Sequence, residues 1–139
     1  MTRIDFYTHA TDKLQTACKL TVKAVSQGLR VLILTPDLET SRKLDKILWQ
    51  HPQTGFIPHC GIADPLACET PVIIDEKGES LPHDEVLFNL QDNPPSFFSR
   101  FHRLVEIVGD MDAEKARERY RFYRDRGYEI HHHKLGEPG

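Results

Sequence analysis

The sequence predicts an α/β fold in which helices flank a mostly parallel sheet, and three observations near its start carry that prediction. Residues 4–7, Ile-Asp-Phe-Tyr, include β-branched and aromatic types and read as a strand. Leu14, Ala17, Cys18, Val22 and Val25 then recur at three-to-four spacing, which marks one buried face of a helix. Residues 30–35 follow as a short unbroken run around Val31-Leu32-Ile33-Leu34, of the sort that a strand buried on both faces requires. Such a strand, helix and strand normally make parallel, right-handed neighbours.

The remaining elements are read in the same way. Thr11 or Asp12 can accept backbone N–H groups at the start of the first helix, and Gly28 stands where a left-handed residue is expected at its end. Pro36-Asp37 opens a second helix, whose apolar positions are Leu38, Leu44, Ile47, Leu48 and Trp49, and His51-Pro52 ends it. Residues 52–70 are loop-rich, with room for a short strand near Phe56-Ile57. Residues 71–75 and 85–90 are two further strands, Asn93-Pro94-Pro95 is a turn, and residues 97–101 form a helical turn. Residues 103–108 make the next strand. Asp110 or Asp112 caps a last helix running to about Arg126, Gly127 ends it, and residues 128–133 alternate as a final strand. The sum is three helices and six or seven strands in a single domain, residues 1–139, without repeats or a long linker.

Composition excludes several classes. At 139 residues with 39 % hydrophobic content, the chain can bury enough surface for one core without metal or disulfide staples. Three cysteines are too sparse for a disulfide framework, and no apolar run approaches the roughly 20 residues of a membrane span. The start of the chain has no secretion-signal pattern, so cytoplasmic residence is expected. Eighteen basic against 21 acidic residues give a net charge of −3, which argues against a general nucleic-acid binder. No glycine-rich phosphate loop, nucleophile elbow, CxxC pair or HExxH helix occurs, so no catalytic, cofactor-binding or metal-ligating residue is assigned. His59, Cys60 and Cys68 lack a fourth ligand at zinc spacing. His9 and Asp37 stand where α/β sheets place ligands, but structural roles are simpler for both. In the run His131-His132-His133, strand alternation puts His132 on the opposite face from its neighbours.

Two constellations remain. From Lys115 to Arg126 there are six basic residues and two acidic ones. Arg117, Arg121 and Arg124 share one helix face, beside a stripe of Ala116, Tyr120 and Tyr123 that leaves Tyr120 half-buried. The bland reading is a solvated face in which Glu114 and Glu118 pair with Arg117 and Arg121. The sharper one is a site for an acidic peptide, since guanidinium groups grip carboxylates in a fork and a phenol ring supplies an apolar wall. Nucleic-acid phosphates would also fit, with weak and salt-dependent binding. The second constellation is Trp49 with Phe56 and Pro58, which serve either as core or as anchors at a protein interface.

In order along the chain, the segments at residues 4–7, 28–34, 44–49, 56–59, 71–74 and 116–124 closely resemble the chi subunit of bacterial DNA polymerase III holoenzyme. The blocks Leu44-Asp45 to Leu48-Trp49, Phe56-Ile57-Pro58-His59 and Ala116-Arg117-Glu118-Arg119-Tyr120 carry most of that resemblance. It implies a small Rossmann-like domain lacking a phosphate-binding loop and acting as a non-catalytic adaptor. The partners it implies are the psi subunit, the acidic C-terminal tail of single-stranded DNA-binding protein, and an accessory helicase that competes at the psi-facing surface. Arg117, Tyr120 and Arg121 match the tail-binding positions, and Arg124 joins them as a further cation on that face. Ala113 departs from a basic position of the family, and Lys115 replaces that contact only if the peptide path shifts. Trp49 and Phe56 match the psi-facing positions, with Pro58 their neighbour. The readings that compete with the adaptor are a degenerate nucleotide-binding enzyme and a direct single-stranded DNA-binding domain.

Overall fold

A computed structural model describes residues 2–50, 59–61, 71–78 and 84–135, except the side chains of Trp49, Gln50 and residues 59–61. The elements run β1 (Arg3–Ala10), α1 (Lys13–Ser26), β2 (Val31–Leu34), α2 (Leu38–Gln50), β3 (His59–Gly61), β4 (Val72–Asp75) and β5 (Val86–Asn89). A 3-10 turn (Phe98–Arg100), β6 (Arg103–Gly109), α3 (Ala113–Asp125) and β7 (Ile130–Lys134) complete the order. The seven strands lie side by side as β3-β4-β2-β5-β6-β1-β7, and every pairing between them is parallel.

The expected elements are present, with corrections. β7 begins two residues later than the alternation suggests, because Tyr128 packs its ring edge-on against Phe98 before the strand starts. The strand expected near Phe56-Ile57 falls outside the described residues, as do Phe56 and Pro58 themselves. β1 and β2 are parallel but are not neighbours, since β5 and β6 pair between them. The connection through α1 therefore crosses three strand spacings, roughly 14 Å, between β1 and β2.

Side-chain alternation divides the core into two layers. Tyr7, Val31, Ile33, Val72, Ile74, Phe88, Val105 and Ile107 pack with Ala17, Cys18, Leu44 and Leu48 of α1 and α2. Ile4, Phe6, Leu32, Ile73, Leu87, Leu104 and Val108 pack with Phe98, Phe101 and the Ala116 and Tyr123 side of α3. Asp12 caps α1 by accepting from the Leu14 and Gln15 amides, and Asp37 accepts from the Thr40 amide at the start of α2. Asp112 stands at the cap position of α3 but does not cap it with its side chain. Its carboxylate instead accepts from the Gly109 amide and pairs with Lys13 Nζ at 2.8 Å, tying α1 to the loop before α3. Burial pushes that carboxyl up, yet the Lys13 and Gly109 bonds outweigh it and hold Asp112 below the usual range.

The strands also carry polar groups into the interior, Asp5, Asp75, Asn89 and Glu106 among them. Asp5 of β1 is held by Arg103 Nε at 2.6 Å and His133 at 2.9 Å, with Arg3 at 3.2 Å. Burial acts to raise its carboxyl, and the His133 and Arg103 hydrogen bonds with the neighbouring guanidinium charges bring it below its ordinary value. On the opposite face Glu106 of β6 is fully buried and accepts from Arg119 Nε at 2.9 Å, Tyr123 hydroxyl at 2.6 Å and Asn89 Nδ2 at 2.9 Å.

Candidate functional site

The parallel strands all end on one edge of the sheet, and there a groove of about 420 Å³ opens between the ends of β1 and β6 and the first half of α3. The buried residues Phe6, Val108 and Ala116 form its floor, and Thr8, His9, Gly109, Asp110, Ala113, Arg117, Tyr120 and His132 line the remainder. The groove follows from topology: in open α/β sheets the carboxyl edge is where neighbouring loops leave a crevice.

α3 presents the cationic side of this groove. Arg117 and Arg121 are exposed and have no ion pair among the described residues. The expected intrahelical pairing with Glu114 and Glu118 is therefore corrected: Glu118 pairs with Lys115 at 3.8 Å. Arg124 lies over the Tyr120 ring, 5.9 Å from its centroid, and meets Asp125 at 3.3 Å. Tyr120 is half-buried, as the helical spacing predicts, and packs edge-on against Phe6 at 5.9 Å and beside His132 at 5.3 Å. Of the four sequence-predicted positions, Arg117 and Tyr120 thus line the groove, Arg124 lies over the Tyr120 ring, and Arg121 is exposed on the same helix.

Arg119 corrects the sequence reading most. It counts among the six basic residues of this segment, yet it is 2 % exposed and spends its charge inside, on Glu106 and on the Asp92 carbonyl at 3.0 Å. Burial pushes the Glu106 carboxyl up, against the pull of Arg119 and the three hydrogen bonds, and it pushes the Tyr123 hydroxyl up as well. The network pins α3 to β6 and to the turn after β5, and so fixes which face of α3 turns outward. Its only sequence signal is that Arg119 lies three residues after Ala116 and four before Tyr123, on the inward face.

Sequence reasoning places His9 at the ligand edge but favours a structural role for it, and it does not find His132 as a groove residue. His132 stacks on Phe6 at 5.9 Å, while His133, on the other face, stacks on Tyr7 at 4.5 Å, as strand alternation requires. Trp49 stands one residue from the end of α2. A helix that follows a strand and returns over the sheet ends where the strands begin, so the end of α2 and the groove sit at opposite edges. Among the described residues no group of His, Cys, Asp and Glu could hold a metal ion, and none of their helices is long and apolar enough to cross a membrane.

These features define an α/β domain with an all-parallel sheet and no glycine-rich phosphate loop in its sequence that offers a mixed apolar and cationic groove at its carboxyl edge. The family model described as DNA polymerase III chi subunit, HolC, matches residues 1–131. The curated protein DNA polymerase III subunit chi of Pseudomonas aeruginosa is 36 % identical, covering 97 % of this chain and 98 % of its own. Its counterparts in Haemophilus influenzae and Escherichia coli are 31 % and 32 % identical, covering 86 % and 84 % of this chain and 85 % and 81 % of theirs. The chain belongs to the DNA polymerase III chi subunit family, accessory subunits of the replicative polymerase holoenzyme.

Proposed function

We propose that this chain is a non-catalytic adaptor that joins the clamp-loader complex to DNA coated with single-stranded DNA-binding protein. It holds the acidic C-terminal tail of that protein in the α3 groove and the psi subunit on a separate surface that includes Trp49, Phe56 and Pro58. The observation that carries the reading is the side-by-side placement of an apolar crevice floored by Phe6, Val108 and Ala116 with the unpaired guanidinium of Arg117.

A terminal aromatic side chain of the tail fits the crevice beside Tyr120, and the terminal carboxylate and preceding aspartates pair with Arg117, Arg121 and Arg124. Each such charged hydrogen bond contributes about 1.5 to 3 kcal/mol before ordering of the peptide offsets part of it. The net is micromolar affinity, about −8 kcal/mol. Several tails on one DNA-bound oligomer raise the effective affinity through local concentration, and the domain itself need not touch DNA. The accessory helicase would compete with psi at the Trp49 surface.

Fluorescence anisotropy with a labelled acidic peptide ending in phenylalanine tests the reading. Micromolar binding that requires the free carboxylate, and that falls at least about tenfold in Arg117→Ala and in Tyr120→Ala, is the expected result. A folded wild-type protein that ignores the peptide rules the tail site out.

A further inference from the structure

His9 is the one non-glycine residue among those described that has positive φ, at 64°. It sits in a bulge of β1. Tyr7 pairs with Ile107 and Ala10 with Gly109, so three steps along β1 match two along β6. Strict alternation would send His9 to the face of Tyr7 and Ala10 to the face of Phe6. The bulge reverses both: Ala10 joins the core layer of Tyr7, and His9 lines the groove beside Thr8. An L-residue in the left-handed region is conformationally costly, and such outliers cluster where a side chain must be aimed at a ligand. The imidazole Nδ1 lies 3.1 Å from Thr8 Oγ1.

Resting on the tail-binding reading, we propose that His9 is a specificity-determining contact for the C-terminal carboxylate of the bound acidic peptide. With the Thr8 hydroxyl donating to Nδ1, Nε2–H is left to donate to the carboxylate that Arg117 also grips from the groove lining. The Asp110 carboxylate also lines the groove and repels a ligand carboxylate, which favours its docking on Arg117 and His9. The groove thus reads a free chain end as well as an acidic composition, because an internal carboxylate cannot reach both donors while an aromatic side chain fills the floor.

His9→Gly separates function from folding, since glycine adopts positive φ freely and relieves the strained backbone. The variant is expected to melt at the same or a higher temperature than wild type and to bind the acidic peptide about ten- to a hundredfold more weakly, the range of one hydrogen bond to a charged group. The C-terminally amidated peptide, measured by competition, is expected to bind wild type and His9→Gly alike, which closes a double-mutant cycle on the carboxylate. Equal affinity of wild type and His9→Gly for the free-acid peptide overturns the role of His9 and leaves the tail site standing. An equal loss for both peptides overturns the assignment to the carboxylate. No binding of either peptide to wild type overturns both the site and this contact.

Discussion

Arg117 and Arg119 stand two positions apart on α3 and have opposite fates, one exposed at the groove and one buried against Glu106. The difference is one of helical phase, which the sequence contains, and of a buried acid on the preceding strand, whose inward face it does not announce. Glu106 reads as the polar member of an alternating strand, and only the pairing of β6 between β1 and β5 sets it beneath α3. Arg119→Ala should therefore cost about 3 to 5 kcal/mol in urea unfolding, because it leaves the Glu106 carboxylate buried without its cation. Arg117→Ala should leave the unfolding midpoint within about 0.5 kcal/mol of wild type while weakening peptide binding. If both substitutions lower stability alike, the division between a gripping and an anchoring arginine is wrong. The groove residues on α3 were legible because a helix stripe can be counted from sequence. The edge position of His9 was legible too, but its direction was not, because it depends on a bulge that alternation alone does not reveal.

At the scale of the elements, local chemistry was a good guide and order was not. Asp12, Asp37, Gly28 and Gly127 occupy the helix-end positions their residue types suggest, the glycines at φ of 81° and 82°. Asp112 occupies its position too, but a lysine on another helix draws its carboxylate away from the cap. The insertion of β5 and β6 between β1 and β2 has no local signal, since every strand of a doubly covered sheet shows the same apolar run. It matters for function, because it makes β1 and β6 neighbours and so builds the groove floor from Phe6 and Val108. Gly78 marks another tertiary constraint: it has φ of 72°, and an added methyl would run into the Phe97 ring. Gly78→Ala should destabilise the fold by about 1 to 3 kcal/mol, measured as a fall in the urea midpoint with an unchanged slope. An unchanged midpoint would mean that the turn after β4 and the Phe97 ring move apart readily.

For the whole molecule, charge links stability and binding to solution conditions. Asp5 has a depressed folded-state pKa, so its contribution is complete above the unfolded value near about 3.9 and fades as pH falls through the lower folded value. Asp5→Asn should accordingly lower stability at pH 7 and flatten its decline below about pH 4, and parallel pH curves for the two proteins would contradict that role. Peptide binding, led by exposed guanidinium groups, should weaken markedly between low and high salt, whereas the fold should not. The adaptor account rests on two binding surfaces, the α3 groove and the one that includes Trp49, that act independently. The most direct test is calorimetric titration of the acidic tail peptide into the protein alone and into protein already saturated with the psi subunit. The account predicts the same micromolar Kd in both, with one peptide bound per chain. Loss of peptide binding in the psi-saturated protein, or release of psi by the peptide, would show that the two partners share one surface and would contradict it.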